Sequence, residues 1–91
     1  MKTYILNFKD KETAASMHNY LTSMLDLPEY YGHNLDALYD CLTSLSAASN
    51  ISIANTDENN ELHRRTLRVF KDAASANPKI HLQPPQGNWT Y

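Results

Sequence analysis

The 91-residue sequence contains a single cysteine, Cys41, and only two glycines, Gly32 and Gly87. One cysteine excludes an intramolecular disulfide, so the chain is not a disulfide-stapled secreted scaffold and suits a reducing compartment. No apolar run approaches the ~20 residues that a membrane-spanning helix requires. We therefore expect a cytoplasmic protein with no signal peptide and no membrane anchor.

Positive charge is missing from the middle of the chain. No lysine or arginine lies between Lys11 and Arg64. The same interval contains most of the acidic residues, namely Glu12, Asp26, Glu29, Asp36, Asp40, Asp57, Glu58 and Glu61. The formal net charge of -2 thus conceals a strongly acidic segment. Such a segment accelerates association with a basic protein and repels nucleic acid, so the charge pattern predicts a basic protein partner.

The apolar pattern predicts one domain in which strands alternate with helices. Stretches rich in β-formers predict three strands, at residues 3–8, 50–54 and 79–83. Helical periodicity predicts three helices, from about residue 13 to 25, from 35 to between 44 and 49, and from 61 to 74. This order predicts an α/β fold with a small three-stranded parallel sheet packed with about three helices. We assign the domain to residues 1–83 and a C-terminal tail to residues 84–91.

Side chains that can cap helices stand before the first and third predicted helices. Asp10 or Thr13 precedes the first, and Asp57 or Asn59 precedes the third. Three histidines have no set of partner residues around them that would form a site. His18, His63 and His81 are therefore expected on the surface or along a strand.

The stretch LPEYYGHNLDALYDCL, residues 27–42, predicts a loop followed by a short helix. Gly32 would allow a backbone turn that residues with a Cβ disfavour, and Asn34 is a strong N-cap candidate for a helix that begins at Leu35. One face of this helix is apolar and should pack on a core, through Leu35, Leu38, Leu42 and Leu45. The other face should carry the polar and aromatic side chains of helix and loop: Tyr30, Tyr31, His33, Asp36, Tyr39 and Asp40.

Asp36 and Asp40 form a like-charge pair one helical turn apart. Such a pair costs an isolated helix roughly 0.2 to 0.5 kcal/mol, although Asp36 gains from its place in the first turn. No lysine or arginine is near in sequence to compensate Asp40. The pair therefore indicates a surface kept for a cation or a cationic partner.

Other functions remain open for these residues. Two carboxylates one turn apart could act as the acid and base of a small hydrolase, but both are expected to be exposed to solvent, which disfavours this chemistry. His33, Asp36 and Asp40 could face one metal ion, yet a firm site needs three or four protein ligands, and we expect no metal and no cofactor. Cys41 is expected to be a packing residue.

A basic cluster near the third predicted helix suggests a different class of function. Arg64, Arg65 and Arg68 could serve a nucleic-acid-binding module, which is the main alternative to a protein-binding function. No aromatic residues are interleaved with them. This pattern is more typical of a solvated face that pairs with the acidic segment, so we expect no direct nucleic-acid contact.

The stretch at residues 27–42 closely resembles the barstar family of intracellular ribonuclease inhibitors. The preceding helix and the stretch LRVFKDAA at residues 67–74 also resemble the family, and the similarity covers about residues 3 to 82, interrupted between Ser46 and Glu61. The resemblance implies a barstar-like fold and a non-enzymatic, monomeric protein that inhibits a basic, barnase-like ribonuclease. The partner would be an extracellular or toxin-type nuclease, and the chain would then be an immunity protein. Its acidic helix, residues 35–45, and the loop before it would block the nuclease active site.

The resemblance also implies a role for each matching residue. Asp40 would occupy the phosphate pocket of the nuclease, and Asp36 and Asn34 would contact neighbouring basic groups and backbone. Tyr30 would pack on the catalytic histidine of the nuclease, and Tyr31 and Gly32 would shape the loop. The remaining predicted contacts border this centre: Tyr39, Ser44, Leu45 and Asp72.

Departures from the family pattern concentrate around the predicted contact surface. Tyr39 stands where the family has tryptophan, Ser44 and Leu45 replace a glycine and a tryptophan, and Asp72 replaces a glutamate. The segment between residues 46 and 61 is shorter, and residues 84–91 have no counterpart. These differences bear on which nuclease is bound.

Overall fold

The computed structural model describes residues 2–28 and 31–83. This part of the chain contains three parallel strands and three helices. The strands are β1 (Lys2–Asn7), β2 (Ser49–Ala54) and β3 (Ile80–Gln83). The helices are α1 (Ala14–Leu25), α2 (Leu35–Thr43) and α3 (Glu61–Ala76). The predicted α/β fold with a three-stranded parallel sheet is confirmed. Tyr30 and the tail at residues 84–91 lie outside the described residues.

The sheet has the strand order β1-β2-β3, with β2 at its centre. Leu6 is paired with Ile53, and Ile51 is paired with Tyr4 on one side and Leu82 on the other. Parallel neighbours cannot be joined by a tight turn, so the chain crosses over through helices. The connection from β1 to β2 contains α1 and α2, and the connection from β2 to β3 contains α3.

One face of the sheet carries the core. Strand side chains of this face pack with helix side chains in a single buried cluster that includes Leu6, Phe8, Met17, Leu21, Leu38, Leu42, Ile51, Ile53 and Phe70. The opposite face carries residues such as Ile5, which is 67% exposed. Side chains alternate across a strand, so the buried and the exposed strand residues lie on opposite faces. All three helices contribute to the one buried cluster, so they lie on the same side of the sheet. This packing holds α2 against α3.

The N-cap residues agree with the predictions at two of the three helices. Thr13 caps α1 in a reciprocal capping box with Ser16, and Asn34 caps α2. The expected cap of α3, Asp57 or Asn59, is wrong, because Asn60 accepts a hydrogen bond from the His63 N–H instead. Asp57 caps the turn before the helix, where its Oδ1 accepts from the Asn59 N–H.

His63 is buried, which contradicts the expectation of a surface histidine. Its Nδ1 accepts from the Asp57 N–H at 2.9 Å, and its Nε2 lies 2.8 Å from the Lys11 carbonyl oxygen. These contacts identify Nε2 as the protonated nitrogen, since Nδ1 acts as acceptor. The ring thus joins the start of α3 to two loops.

Among residues 2–28 and 31–83, no helix is long and apolar enough to cross a membrane.

Candidate functional site

Helix α2 has an apolar face and an acidic face, as its sequence predicts. Leu38 and Leu42 are at most 1% exposed, whereas Asp36, Tyr39 and Asp40 are exposed. Ser44 is also exposed, and Leu35 and Leu45 are half-buried against the core. The helix ends at Thr43, just before the predicted range of 44 to 49, with Ser44 as C-cap. The core therefore fixes the orientation of the acidic face.

The N-terminus of α2 is fixed by Asn34 and by an unusual backbone at His33. The Asn34 Oδ1 accepts from the Ala37 N–H at 2.8 Å, and its Nδ2 donates to the Gly32 carbonyl at 3.2 Å. His33 has a left-handed backbone, with φ of 52°. Residues with a Cβ rarely adopt this conformation, and such residues cluster at functional sites.

The expected role of Gly32 as the flexible turn residue is wrong. The left-handed residue of the described loop is His33, and the lack of a Cβ at Gly32 matters for a different reason. A Cβ at position 32 would lie 3.2 Å from the Asn34 Nδ2 and 3.5 Å from the Ala37 Cβ. Gly32 therefore allows the loop to approach the first turn of α2 closely.

Tyr31 is buried, so the expectation that it shares the exposed face with Asp36 is wrong. It is 5% exposed, and its hydroxyl bonds to Nδ1 of His18 on α1. Burial, followed by the nearby Cys41, raises the pKa of Tyr31 to about 12. The protonated hydroxyl can therefore donate to His18, and the bond ties the loop before α2 to α1.

His18 was expected on the surface but is 3% exposed. The His33 ring lies 5.1 Å from the Tyr31 ring and 6.3 Å from the His18 ring, measured between centroids. Burial, followed by repulsion from His33, lowers the pKa of His18 from its ordinary value of 6.5. The neutral imidazole is therefore the form that the folded protein favours.

The stability of the protein should fall in mild acid through His18. Its folded-state pKa is lower than the unfolded value of 6.5, so this contribution is complete above that pH and is lost as the pH falls through the lowered pKa. Urea unfolding at about pH 7 and about pH 5 measures the loss. His18→Gln should lose less stability than the wild type between these two pH values. The exposed control His81→Gln should lose as much as the wild type. Equal losses in wild type and His18→Gln would contradict the prediction.

A buried asparagine at the end of α3, Asn77, donates hydrogen bonds to the C-terminal end of α2. The Asn77 Nδ2 lies 3.1 Å from the carbonyl oxygens of both Leu42 and Leu45, and 3.5 Å from that of Thr43. The last carbonyls of a helix have no partner within the helix, so they need donors from outside. The sequence analysis missed Asn77, because the carbonyl groups that it contacts lie 32 to 35 residues earlier in the chain.

The carboxylates of Asp36 and Asp40 have no hydrogen-bond or ion-pair partner within residues 2–28 and 31–83. Both project from a helix whose two ends are fixed. Ionised carboxylates accept hydrogen bonds strongly from cationic donors. The exposed face of α2 can therefore receive a cationic group from another molecule without breaking an interaction in the described part of this chain.

Arginines that are distant in sequence lie beside this face. Helix α3 places Arg64, Arg65 and Arg68 next to the N-terminal turn of α2, where they line a groove with Leu35, Asp36 and Val69. We call this the arginine groove. A second, adjoining pocket is lined in part by His18, His33, Asp36 and Arg65. The expected pairing of these arginines with the acidic segment is not seen in the described residues, where the one ion pair lies within α3.

That ion pair involves Asp72, one of the predicted partner contacts. The Arg68 Nε lies 3.5 Å from the Asp72 Oδ1, and both side chains are more than half exposed. Exposed pairs of this kind contribute little stability, typically 0 to 1 kcal/mol. A partner could replace Arg68 at small cost, so the role of Asp72 at an interface stays a prediction.

Other chemistries find little support in the described residues. No group of three histidine, cysteine, aspartate or glutamate side chains within them is placed to hold a metal ion. Cys41 is half-buried, and burial followed by the charge of Asp40 raises the pKa of its thiol. A raised pKa keeps the thiol protonated and less nucleophilic, which agrees with a packing role.

Comparisons with known proteins match most of the chain to one family. The sequence profile of the family described as "Barstar (barnase inhibitor)" matches residues 1–83. A protein of Bacillus subtilis (strain 168), named "Putative ribonuclease inhibitor YrdF", is 49% identical over 43 residues. That alignment covers 47% of this chain and 47% of the relative, so the match spans about half the length of the curated protein.

Proposed function

This chain belongs to the barstar family, and we propose that it inhibits a basic, barnase-like ribonuclease. In this proposal the exposed face of α2 and the loop before it cover the active site of the nuclease. The chain acts by occupying that site, so it needs no catalytic group of its own. The observation that carries the proposal is the pair of carboxylates, Asp36 and Asp40, which have no partner among the described residues and lie on a helix anchored at both ends.

The chemistry of RNA cleavage explains why such a face would fit a ribonuclease. A nuclease must bind the phosphate anion of its substrate, and arginine, lysine and histidine side chains do so by converging on one pocket. A carboxylate on a rigid helix can satisfy the same donors. Asp40 would act as the phosphate surrogate, and Asp36 would meet neighbouring basic groups.

The surrounding residues would complete the contact. Tyr39 is exposed on α2, the C-cap residue Ser44 is also exposed, and the half-buried Leu45 follows. Aromatic and apolar neighbours exclude water from a charge pair and strengthen it. Tyr31 and Gly32 would act indirectly, by setting the path of the loop.

Rigidity should favour binding in this arrangement. The hydrogen bond from Tyr31 to His18 and the cap at Asn34 hold the loop and helix before any partner arrives. A surface that is already ordered loses less conformational entropy on association. The fixed position of Asp40 would therefore contribute to affinity.

A mixing experiment tests the proposal directly. The chain and a purified barnase-type ribonuclease are combined, and the product is analysed by gel filtration and by cleavage of a fluorescent RNA substrate. We expect a one-to-one complex, a monomeric free chain, and loss of cleavage at equal molar amounts. Full nuclease activity in the presence of excess chain, against several basic ribonucleases, would refute the proposal.

Association should slow steeply with added salt. The acidic face and a basic active site attract each other over a distance that salt screens, with a Debye length of about 10 Å at 0.1 M and about 3 Å at 1 M. We expect the association rate constant to fall by about tenfold or more over this range, with a smaller change in dissociation rate. Stopped-flow fluorescence measures both. Association rates that stay flat across this range would contradict steering by the acidic face.

We also propose an immunity role in the cytoplasm, in which the chain protects a cell from a toxin-type ribonuclease. A nuclease gene next to the gene for this chain would support that role. Expression of the nuclease in cells with and without the chain tests it, because only the cells that contain the chain should grow.

A further inference from the structure

The arginine groove adjoins the proposed inhibitory face but has the opposite charge. Asp36 and Leu35 of α2 form one wall, and arginines of α3 form the other. Asp36 thus belongs both to the acidic face and to the groove. The two surfaces are continuous, so a partner that covers α2 would also reach the groove.

Arg65 is the arginine that is free to bind a ligand in this groove. The Arg64 Nη1 donates to the Glu58 carbonyl at 2.5 Å, and Arg68 is paired with Asp72. Arg65 has no hydrogen bond or ion pair with any residue that the structure describes. Arg65 and Asp36 line the same groove without forming an ion pair, so both charges remain available to a third group.

We propose that the arginine groove docks an acidic segment of the ribonuclease partner, so that the contact surface of this chain is bipartite. This inference rests on the proposed function for the identity of the partner. A carboxylate matches the planar fork of the Arg65 guanidinium in a bidentate geometry. A basic side chain next to that carboxylate would meet Asp36. The half-buried Leu35 and Val69 would contact the methylene groups of the segment.

The charges around the groove favour an acidic protein segment over RNA. Two carboxylates, Asp36 and Asp72, interrupt the arginines, and an RNA backbone would pass close to both. Among the residues that the structure describes, none of those lining the groove has an aromatic side chain on which a base could stack. Binding of single-stranded nucleic acid typically combines a continuous positive track with such stacking. A short segment with alternating charge fits the groove better.

The groove would act as a specificity element. A nuclease with basic residues both in its active site and around its rim would meet repulsion from Arg65 and Arg68. A nuclease with a basic active site and an acidic rim would be attracted by both surfaces. Discrimination between partners often depends on such repulsive contacts.

Titration of the isolated chain with short probes tests the groove. The probes are a capped Glu-Glu-Lys-Glu-Glu peptide, its glutamine analogue with the same central lysine, and hexauridylate RNA. Nuclear magnetic resonance follows the arginine Nε–H signals of the full chain. We expect the acidic peptide to shift the Arg65 and Arg68 signals at low salt, and neither the glutamine peptide nor the RNA to shift them comparably.

Substitutions at Arg65 give the decisive comparison. Arg65→Gln should weaken binding of the acidic peptide by about fivefold, the upper range for an exposed ion pair. Arg65→Lys should lose less, because it keeps the charge but not the fork. Lys9→Gln, at an exposed lysine outside the groove, should bind like the wild type. Unchanged binding by Arg65→Gln would overturn the proposal, as would tighter binding of RNA than of the acidic peptide at the same signals.

The outcome can be separated from the fate of the proposed function. The same titration in an Asp40→Ala background removes the proposed phosphate surrogate and leaves the groove intact, so peptide binding should persist. If the chain inhibits a ribonuclease but the peptide does not bind, the groove proposal fails alone. If the peptide binds but no ribonuclease is inhibited, the groove does bind acidic segments, and only its assignment to a nuclease partner fails.

Discussion

Replacing Asp40 with alanine is expected to weaken ribonuclease inhibition more than any other single substitution on α2. Its carboxylate has no partner within the described residues and lies on the exposed face of the helix. Removing one member of a desolvated charge pair leaves the cationic groups of the nuclease buried and unpaired. Such truncations typically cost 2 to 5 kcal/mol, and we expect about 3 kcal/mol, or roughly 150-fold in the inhibition constant. The barnase–barstar pair is itself one of the complexes from which this range was measured.

Matched variants separate charge from folding in this experiment. Asp40→Asn keeps the shape of the side chain and removes its charge, so it should lose most of the affinity that Asp40→Ala loses. Glu12→Ala removes an exposed acidic residue far from α2 in sequence and should inhibit like the wild type. Circular dichroism establishes that each variant is folded. Full inhibition by Asp40→Ala would show that α2 does not enter the nuclease active site through this residue.

Replacing Asn77 with alanine is expected to have the largest effect on stability among the polar substitutions considered. Its amide donates to carbonyl groups at the end of α2, and its Oδ1 accepts from the Lys79 N–H at 3.1 Å. The substitution removes this donor from both carbonyls, and although the Leu42 carbonyl still accepts from the Leu45 N–H at 3.2 Å, the Leu45 carbonyl loses its donor within the described residues. An unsatisfied buried acceptor costs about 1 to 3 kcal/mol. We expect the free energy of unfolding to fall by about 2 to 3 kcal/mol in urea denaturation.

Asn19→Ala is the control for this experiment, because Asn19 is exposed on α1 and its side chain makes no hydrogen bond with the described residues. It should unfold within about 0.5 kcal/mol of the wild type. Asn77→Ala should also speed hydrogen exchange in the last turn of α2 more than in α1, because the lost contacts are local. Equal acceleration in both helices would show that Asn77 contributes to general stability and does not anchor α2 in particular.

The fold was predictable because its signals are local. The apolar stripe of α2 repeats at helical spacing within one segment, and Leu38 and Leu42 are buried as that spacing predicts. The N-cap Asn34 was also predicted from neighbouring residues, and Thr13 was one of two candidates for the cap of α1. Asn60 was missed as a cap in favour of Asp57 or Asn59, since several capping side chains stand in a row and only the backbone geometry selects one.

The sequence predicted which charged side chains of the candidate site are exposed. It did not predict the buried contacts that hold the loop and helix in place. The exposure of Asp36 and Asp40 follows from helical periodicity. The burial of Tyr31 does not, because it depends on a hydrogen bond to His18, which is 13 residues away and has no distinguishing sequence pattern. A tyrosine beside charged residues on a loop has the composition of a surface residue, so packing between elements decides its position.

Tertiary packing also explains why the arginine groove escaped the sequence analysis. The arginines were expected to form a solvated face that pairs with the acidic segment, but no pattern within either stretch of sequence shows which residues meet. The contact between α2 and α3 brings Arg65 beside Asp36 although they are distant in sequence. The amphipathic pattern of α3 predicted which side of the helix is apolar, but not which other helix it would lie against.

The two asparagines that fix the ends of α2 have a consequence for evolution and engineering. Asn34 and Asn77 act mainly through backbone atoms of the helix, and Leu38 and Leu42 hold its inner face. None of these contacts uses the outward side chains at positions 36, 39 or 40. Mutations at those positions can therefore accumulate at little cost to folding. A lineage could change its target one outward residue at a time, and a library restricted to these positions should yield folded variants with altered partners.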